Sequence, residues 1–155
     1  MAGRIDARLK ELGIELPTPA APVASYVATT RIGQTLYVAG QVTFWNGEVR
    51  HVGKLGREFT IEEGATAARL CGLNILAQAR AALGGDLDRV VRIAKLTGFV
   101  NVAPGFIDVP KVINGASDLM VQVFGDAGRH ARSAVGVAEL PLGVAVEVEA
   151  IIEVG

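Results

Sequence analysis

Residues 60–85 leave the least choice about local structure. Thr60-Ile61-Glu62-Glu63 is a capping box, in which the Thr60 hydroxyl accepts from the Glu63 amide while the Glu63 carboxylate reaches back to the Thr60 N–H. Gly84-Gly85 supplies the stop. Between these signals Ala65, Ala68, Gly72, Leu76, Ala79 and Leu83 fall on one helical stripe, which predicts a helix running to about Leu83. A stripe so rich in alanine and glycine lets the helix backbone approach its neighbour closely. The neighbour is expected to be a β-sheet, because the flanking segments read as strands.

Residues 35–42, TLYVAGQV, form a β-branched and aromatic run behind a Gly33-Gln34 turn, with Tyr26 to Thr30 as the expected hairpin partner. Residues 43–60, with Trp45 and Asn46-Gly47, read as a long loop or a ragged hairpin. Arg89 to Val102 is a further strand. Asp108 to Phe124 is a second helix, with Pro110 in its first turn, Val112, Ala116, Leu119 and Val123 facing inward, and Gly125 closing it. Ser133–Leu140 and Val144–Val154 are strands joined by Pro141-Leu142-Gly143, and the last alternates cleanly between a valine-rich face and one bearing Glu147 and Glu149. Upstream, residues 3–13 read as a short amphipathic helix with Ile5, Leu9 and Leu12 on one side, followed by the proline-rich segment 17–22. The chain therefore divides into an N-terminal helix and linker, 1–22, and one domain, 23–155. The domain is α+β, in the order β-β-α-β-α-β-β, and right-handed crossovers place both helices on one face of a single mixed sheet. Two helices cannot cover both faces, so a subunit interface is expected to bury the other.

Composition narrows the function. Half of the 155 residues are hydrophobic and 20% are charged, which excludes an intrinsically disordered chain. Lys+Arg is 15 and Asp+Glu is 16, so no basic surplus is present to neutralise several phosphates; with aromatics at 5%, nucleic acid is not an expected partner. One cysteine, Cys71, excludes an intramolecular disulfide, and it reads as a buried structural thiol rather than a nucleophile. The N-terminus is no signal peptide and no apolar run reaches the length of a membrane span, so a soluble, cytoplasmic protein is expected. His51 and His130 lack metal-ligand spacing, and no metal site is expected. Gly84-Gly85-Asp86 follows a helix, the wrong context for a phosphate loop.

The densest polar stretch is Gly128-Arg129-His130-Ala131-Arg132-Ser133, just before a strand. Two arginines and a histidine at a strand mouth can grip a carboxylate, since a guanidinium binds one in bidentate fashion. The alternative is that Arg129 and His130 cap the preceding loop or pair with surface acids. Glu147 and Glu149 share a sheet face. A carboxylate on a face covered by a neighbouring subunit would have a raised pKa and could orient water or shuttle a proton; an exposed acid row is the other reading, and the preferred one for Glu149. Two acids on one strand, without a partner across a cleft, match glycosidase chemistry poorly. Trp45 is either a pocket lid or packing over apolar surface, the second being preferred.

The string Ala131-Arg132-Ser133-Ala134-Val135 … Leu140-Pro141 … Val146-Glu147-Val148-Glu149-Ala150, with Tyr26 and Gly40-Gln41 at the matching upstream spacing, resembles the RidA/YjgF family, also called endoribonuclease L-PSP-like. The resemblance covers residues 23–154. It implies a chorismate-mutase-like fold, a homotrimer associating through the sheet face opposite the helices, and pockets at the subunit interfaces. It further implies cofactor-independent hydrolysis of reactive enamines and imines, such as 2-aminoacrylate, to 2-keto acids and ammonia. Carried onto this chain, Arg132 would clamp the substrate carboxylate, Glu147 would position water, Tyr26 would wall the pocket and the backbone at Gly40 would approach the substrate. Where deaminating members commonly have Ser before the glycine and Cys two residues after the arginine, this chain has Ala39 and Ala134. The register of a helix-borne Asn holds Ser117, with Asn114 a turn earlier. The run Asn114-Gly115-Ala116-Ser117-Asp118-Leu119, together with Phe124-Gly125 … Gly128-Arg129-His130-Ala131-Arg132, resembles a divergent, less-characterised branch. Three functions follow as expectations: a deaminase acting on a small carboxylate-bearing metabolite, a non-catalytic trimer binding such metabolites, and, disfavoured by charge and composition, an endoribonuclease.

Overall fold

In the computed structural model, residues 3–22 and 24–155 are described. In chain order the elements are α1 (Arg4–Glu11), β1 (Thr29–Ile32), β2 (Thr35–Gln41), β3 (Phe44–Trp45), β4 (Glu48–Val49), α2 (Ile61–Ala82), β5 (Val90–Asn101), α3 (Val109–Phe124), β6 (Ala131–Val137) and β7 (Val146–Val154). Five strands form one mixed sheet in the order β1-β2-β7-β5-β6, and β3 and β4 pair as a separate small hairpin. Among the described strands, only β5 and β6 run parallel as neighbours. The two strands flanking Pro141–Gly143 are therefore not a hairpin, because β5 lies between them.

Both long helices begin and end where their local chemistry dictates. The capping box at Thr60 is formed in full. Asp108 precedes α3, Pro110 sits in its first turn, and Gly125 ends it at φ 63°. The two helices pack on one face of the sheet over Leu36, Val38, Ile93, Leu96, Val100, Val146, Val148 and Ile152. Glycines set how close they come. A Cβ on Gly98 of β5 would lie 2.5 Å from Ile113 Cδ1, so α3 rests directly on the strand backbone. The opposite face of the sheet is left open, with Tyr37 44% and Val135 44% exposed.

The first strand starts three residues later than expected, at Thr29 instead of Tyr26. The two-residue turn at Gly33-Gln34 pairs Ile32 with Thr35, and the ladder then runs back only to Thr29↔Val38. Beyond Val38 the register of β2 shifts in a bulge before Gln41, so the preceding chain leaves the ladder and Tyr26 sits in a bend. The 43–60 segment contains the β3–β4 hairpin, turned by Asn46 at φ 49° and Gly47 at φ 86°. Helix α1 docks on the body. Ile5 and Leu9 are buried at roughly 1.5–3 kcal/mol each, and the Asp88 carboxylate accepts from the amides of Arg4 and Ile5, both at 2.8 Å. An eight-residue helix is marginal alone, so these contacts hold it.

Candidate functional site

The sheet register places Arg132. Strand β6 pairs Leu96 with Arg132 and Gly98 with Ala134, and Leu96 belongs to the buried, helix-facing side. On a central strand an arginine there would be driven into the core; on this edge strand its head reaches α3 instead. Arg132 Nη1 donates to Asn114 Oδ1 at 2.8 Å and to Ser117 Oγ at 3.2 Å, and Nη2 donates to the Pro110 carbonyl at 3.4 Å. Asn114 and Ser117 share one face of α3 because they are three residues apart. All three partners are neutral, and Arg132 makes no ion pair among the described residues. The guanidinium is thereby aimed without being neutralised.

His130 joins this cluster. Its Nδ1 stands 2.7 Å from the Gly128 carbonyl and its Nε2 2.8 Å from Ser117 Oγ. A carbonyl can only accept, so Nδ1 carries the hydrogen; in the neutral ring Nε2 is then the acceptor and the Ser117 hydroxyl donates to it. Arg129 does not take part in these bonds. It is exposed and reaches Asp126 at 3.4 Å, a surface pair worth little. Ala134 lies on Arg132's face, half-buried against the core.

Glu147, Gly40 and Tyr26 meet elsewhere. Glu147 pairs with Phe99 in the β7–β5 register, which puts its side chain on the open face of the sheet, opposite Arg132. A Cβ on Gly40 would lie 2.9 Å from the Glu147 carboxyl carbon, so the glycine's lack of a side chain makes room for that carboxylate. With Tyr26, Pro22, Phe44 and Leu142 they line a narrow cleft of about 60 Å³. Burial, and next the Glu149 carboxylate, push the Glu147 pKa above the usual carboxylate range. One chain thus assembles Arg132, Asn114, Ser117 and His130 in one cluster and Tyr26, Gly40 and Glu147 in another, on opposite sides of the sheet.

The Glu147 shift carries a pH signature. Its folded pKa lies above the unfolded value of about 4.3, so the native state binds this proton more tightly and loses stability as pH rises through the folded pKa. Glu147→Gln removes that loss. The melting temperature of Glu147→Gln minus that of the wild type is expected to be near zero in acid and to become positive as the pH rises through the folded pKa. A difference flat across this range, measured by thermal scans in matched buffers, would contradict the assignment.

Leu142 in the cleft wall, and the buried pair that holds its turn, carry no local sequence signal. Leu142 adopts φ 59° and stands 55% exposed beside Glu147. Asn101, buried, donates from Nδ2 to the Val144 carbonyl at 3.1 Å and accepts at Oδ1 from Lys54 Nζ at 2.6 Å. Lys54 also bonds the Ala138 carbonyl, so this pair pins both ends of the turn that carries Leu142. The partners lie more than 40 residues apart, which local pattern cannot show.

Other polar groups have structural roles. Cys71 is fully buried, burial pushes its pKa well up, and Sγ lies 3.3 Å from the Val146 carbonyl. Trp45 lines a separate depression with Arg50 and Leu73, apart from both clusters. Among the described residues no group of His, Cys, Asp and Glu could hold a metal ion, and no helix is long and apolar enough to cross a membrane.

Residues 6–153 match the family described as "YjgF/chorismate_mutase-like, putative endoribonuclease". Protein TCP17 of Trypanosoma cruzi is 50% identical over 153 residues, covering 98% of this chain and 95% of that one. Among solved structures, Atu1372 of Agrobacterium tumefaciens, of unknown function, is 47% identical with a TM-score of 0.89, over 97% of this chain and 93% of that one. A Shewanella oneidensis structure is 36% identical with a TM-score of 0.94, over 98% and 100%. At 22% identity and a TM-score of 0.63, over 90% and 94%, Escherichia coli TdcF, solved with bound serine, shares the fold.

Proposed function

We propose, from the premise that this chain belongs to the YjgF/RidA (endoribonuclease L-PSP) family, that it hydrolyses a small carboxylate-bearing imine or enamine to a 2-keto acid and ammonia without a cofactor. The observation that carries this reading is the anchoring of Arg132. Neutral partners fix the guanidinium and leave its full charge for an incoming carboxylate. TdcF, with bound serine, is a fold relative holding a small molecule that bears a carboxylate.

The chemistry asks for little more than position. An imine carbon is already electrophilic; water adds to it, the carbinolamine C–N bond breaks, and ammonia leaves as the carbonyl forms. Holding the carboxylate and the water in place supplies most of what such a reaction needs. Glu147, with its raised pKa and Gly40's open backbone beside it, is the group assigned to the water. Since Arg132 and Glu147 lie on opposite sides of one sheet, the complete site is assigned to a trimer in which the open face of one copy brings Glu147 to the Arg132 cluster of the next. The exposed Tyr37 and Val135 on that face favour such burial.

A second reading rests on Ala39 and Ala134, which place no hydroxyl or thiol where deaminating relatives commonly have them: a trimer that binds such metabolites without turning them over. The ribonuclease reading has less support, given the net charge of −1.

Generating 2-aminoacrylate in situ and following keto-acid release tests the first reading, with light scattering on the same sample. Acceleration by a particle of three chain masses is the expected result. Carboxylate binding without acceleration would favour the second reading, and a monomer would remove the shared site.

A further inference from the structure

The geometry points to Ser117 as an activated nucleophile, with His130 as its base, giving this protein a serine-dependent activity on small acyl esters that is separate from imine hydrolysis. Three features of a single chain converge on the Ser117 hydroxyl. It donates to His130 Nε2 at 2.8 Å. The imidazole is oriented by the Gly128 carbonyl, which holds the hydrogen on Nδ1 and leaves Nε2 free to take a proton. Arg132 Nη1 stands 3.2 Å from Oγ, where its charge favours the oxygen as it loses that proton. A nucleophile in reach of a base, with the base aligned by a third group, is the arrangement that activates serine in enzymes of unrelated fold.

Rigid elements set this geometry. Ser117 sits inside α3, and His130 just precedes β6 behind the turn at Gly125–Gly128. A Cβ on Gly128 would collide with the Met120 carbonyl, so the turn is pressed against α3 and carries the imidazole with it. Ser117, His130 and Arg132 open onto a surface depression of about 280 Å³, together with Val121, Asp118 and Arg129. That volume suits a short acyl group, and the two arginines favour one bearing a negative charge.

In the acylation step Ser117 Oγ bonds to the acyl carbon, its proton moves to His130 Nε2, and the carbonyl electron pair shifts to oxygen beside the Arg132 guanidinium. As the carbonyl re-forms, the alcohol departs with the proton from His130. Water, deprotonated by the same nitrogen, then releases the acid and restores the serine.

A fluorophosphonate, which phosphonylates activated serines, tests this without a known substrate. The folded wild-type protein is expected to gain one adduct, mapped by peptide mass spectrometry to Ser117. Ser117→Ala should take none. His130→Gln, with an unchanged circular dichroism spectrum, should label about 100-fold more slowly. No adduct on the wild-type protein, an adduct on another residue, or a Ser117 adduct formed equally fast in His130→Gln would overturn the assignment. Keto-acid release in the imine assay reports on the other reading, so either can fail alone.

Discussion

Arg132→Ala is expected to lower keto-acid formation from 2-aminoacrylate by about 100-fold or more, because truncating one side of a hydrogen-bonded charge pair costs about 2–5 kcal/mol. The fold should survive. Arg132 lies on the edge strand, and its partner Asn114 is exposed and regains water when the guanidinium is removed. Arg132→Lys is the sharper variant. Lysine keeps the charge but cannot reproduce a fork that donates to Asn114 and Ser117 from one nitrogen and to Pro110 from the other. It is expected to recover only a small part of the loss. Titrating a keto acid against the three proteins separates binding from turnover: a clamp predicts weaker binding in step with slower release. Equal keto-acid affinity in wild type and Arg132→Ala would remove Arg132 from the site.

The second large effect lies away from the chemistry. Gly115→Ala is expected to destabilise the protein by about 3 kcal/mol or more, at or beyond the upper end of ordinary overpacking. On helix propensity alone the same change should stabilise by about 1 kcal/mol, so the two arguments disagree in sign. Sterics decide it. A Cβ on Gly115 would lie 2.7 Å from the Ala65 carbonyl carbon and 3.0 Å from its Cα, closer still to the oxygen. These are backbone atoms inside α2, and no rotamer change moves them; the two helices would have to separate. Gly72→Ala is the matched comparison, since its nearest neighbour is the movable end of Leu119, at 2.9 Å. Its loss should be smaller. Urea midpoints of the two variants check this order, and a midpoint for Gly115→Ala above wild type would show that the helices do not meet as described.

Local chemistry made much of the architecture legible. The Thr60 capping box, the Gly125 stop and the alternation along Val144–Val154 each depend on residues within a few positions of one another; both helix ends formed where they placed them, and the strand formed from Val146, two residues later than expected. The start of β1 was legible only in part, because the bulge after Val38 that ends its ladder depends on pairing between β2 and β7. The site divides the same way. Arg132 and Glu147 stand out by residue type and pattern, yet nothing in the sequence tells which side of the sheet each faces relative to the other.

Sequence alone determined the element order, the helix ends, the small-residue surfaces that let helices and sheet approach, and the pair of charged residues on which the functional reading rests. These follow from torsional preference, capping and periodicity, which act over one or two turns of chain. Tertiary structure alone decided that β7 inserts between β2 and β5, that Ser117, His130 and Arg132 meet in one hydrogen-bonded cluster, and that Glu147 lies across the sheet from them. Strand order and register are set by the packing of the whole buried face, where residues more than 30 positions apart compete for the same neighbours, and that competition has no local trace.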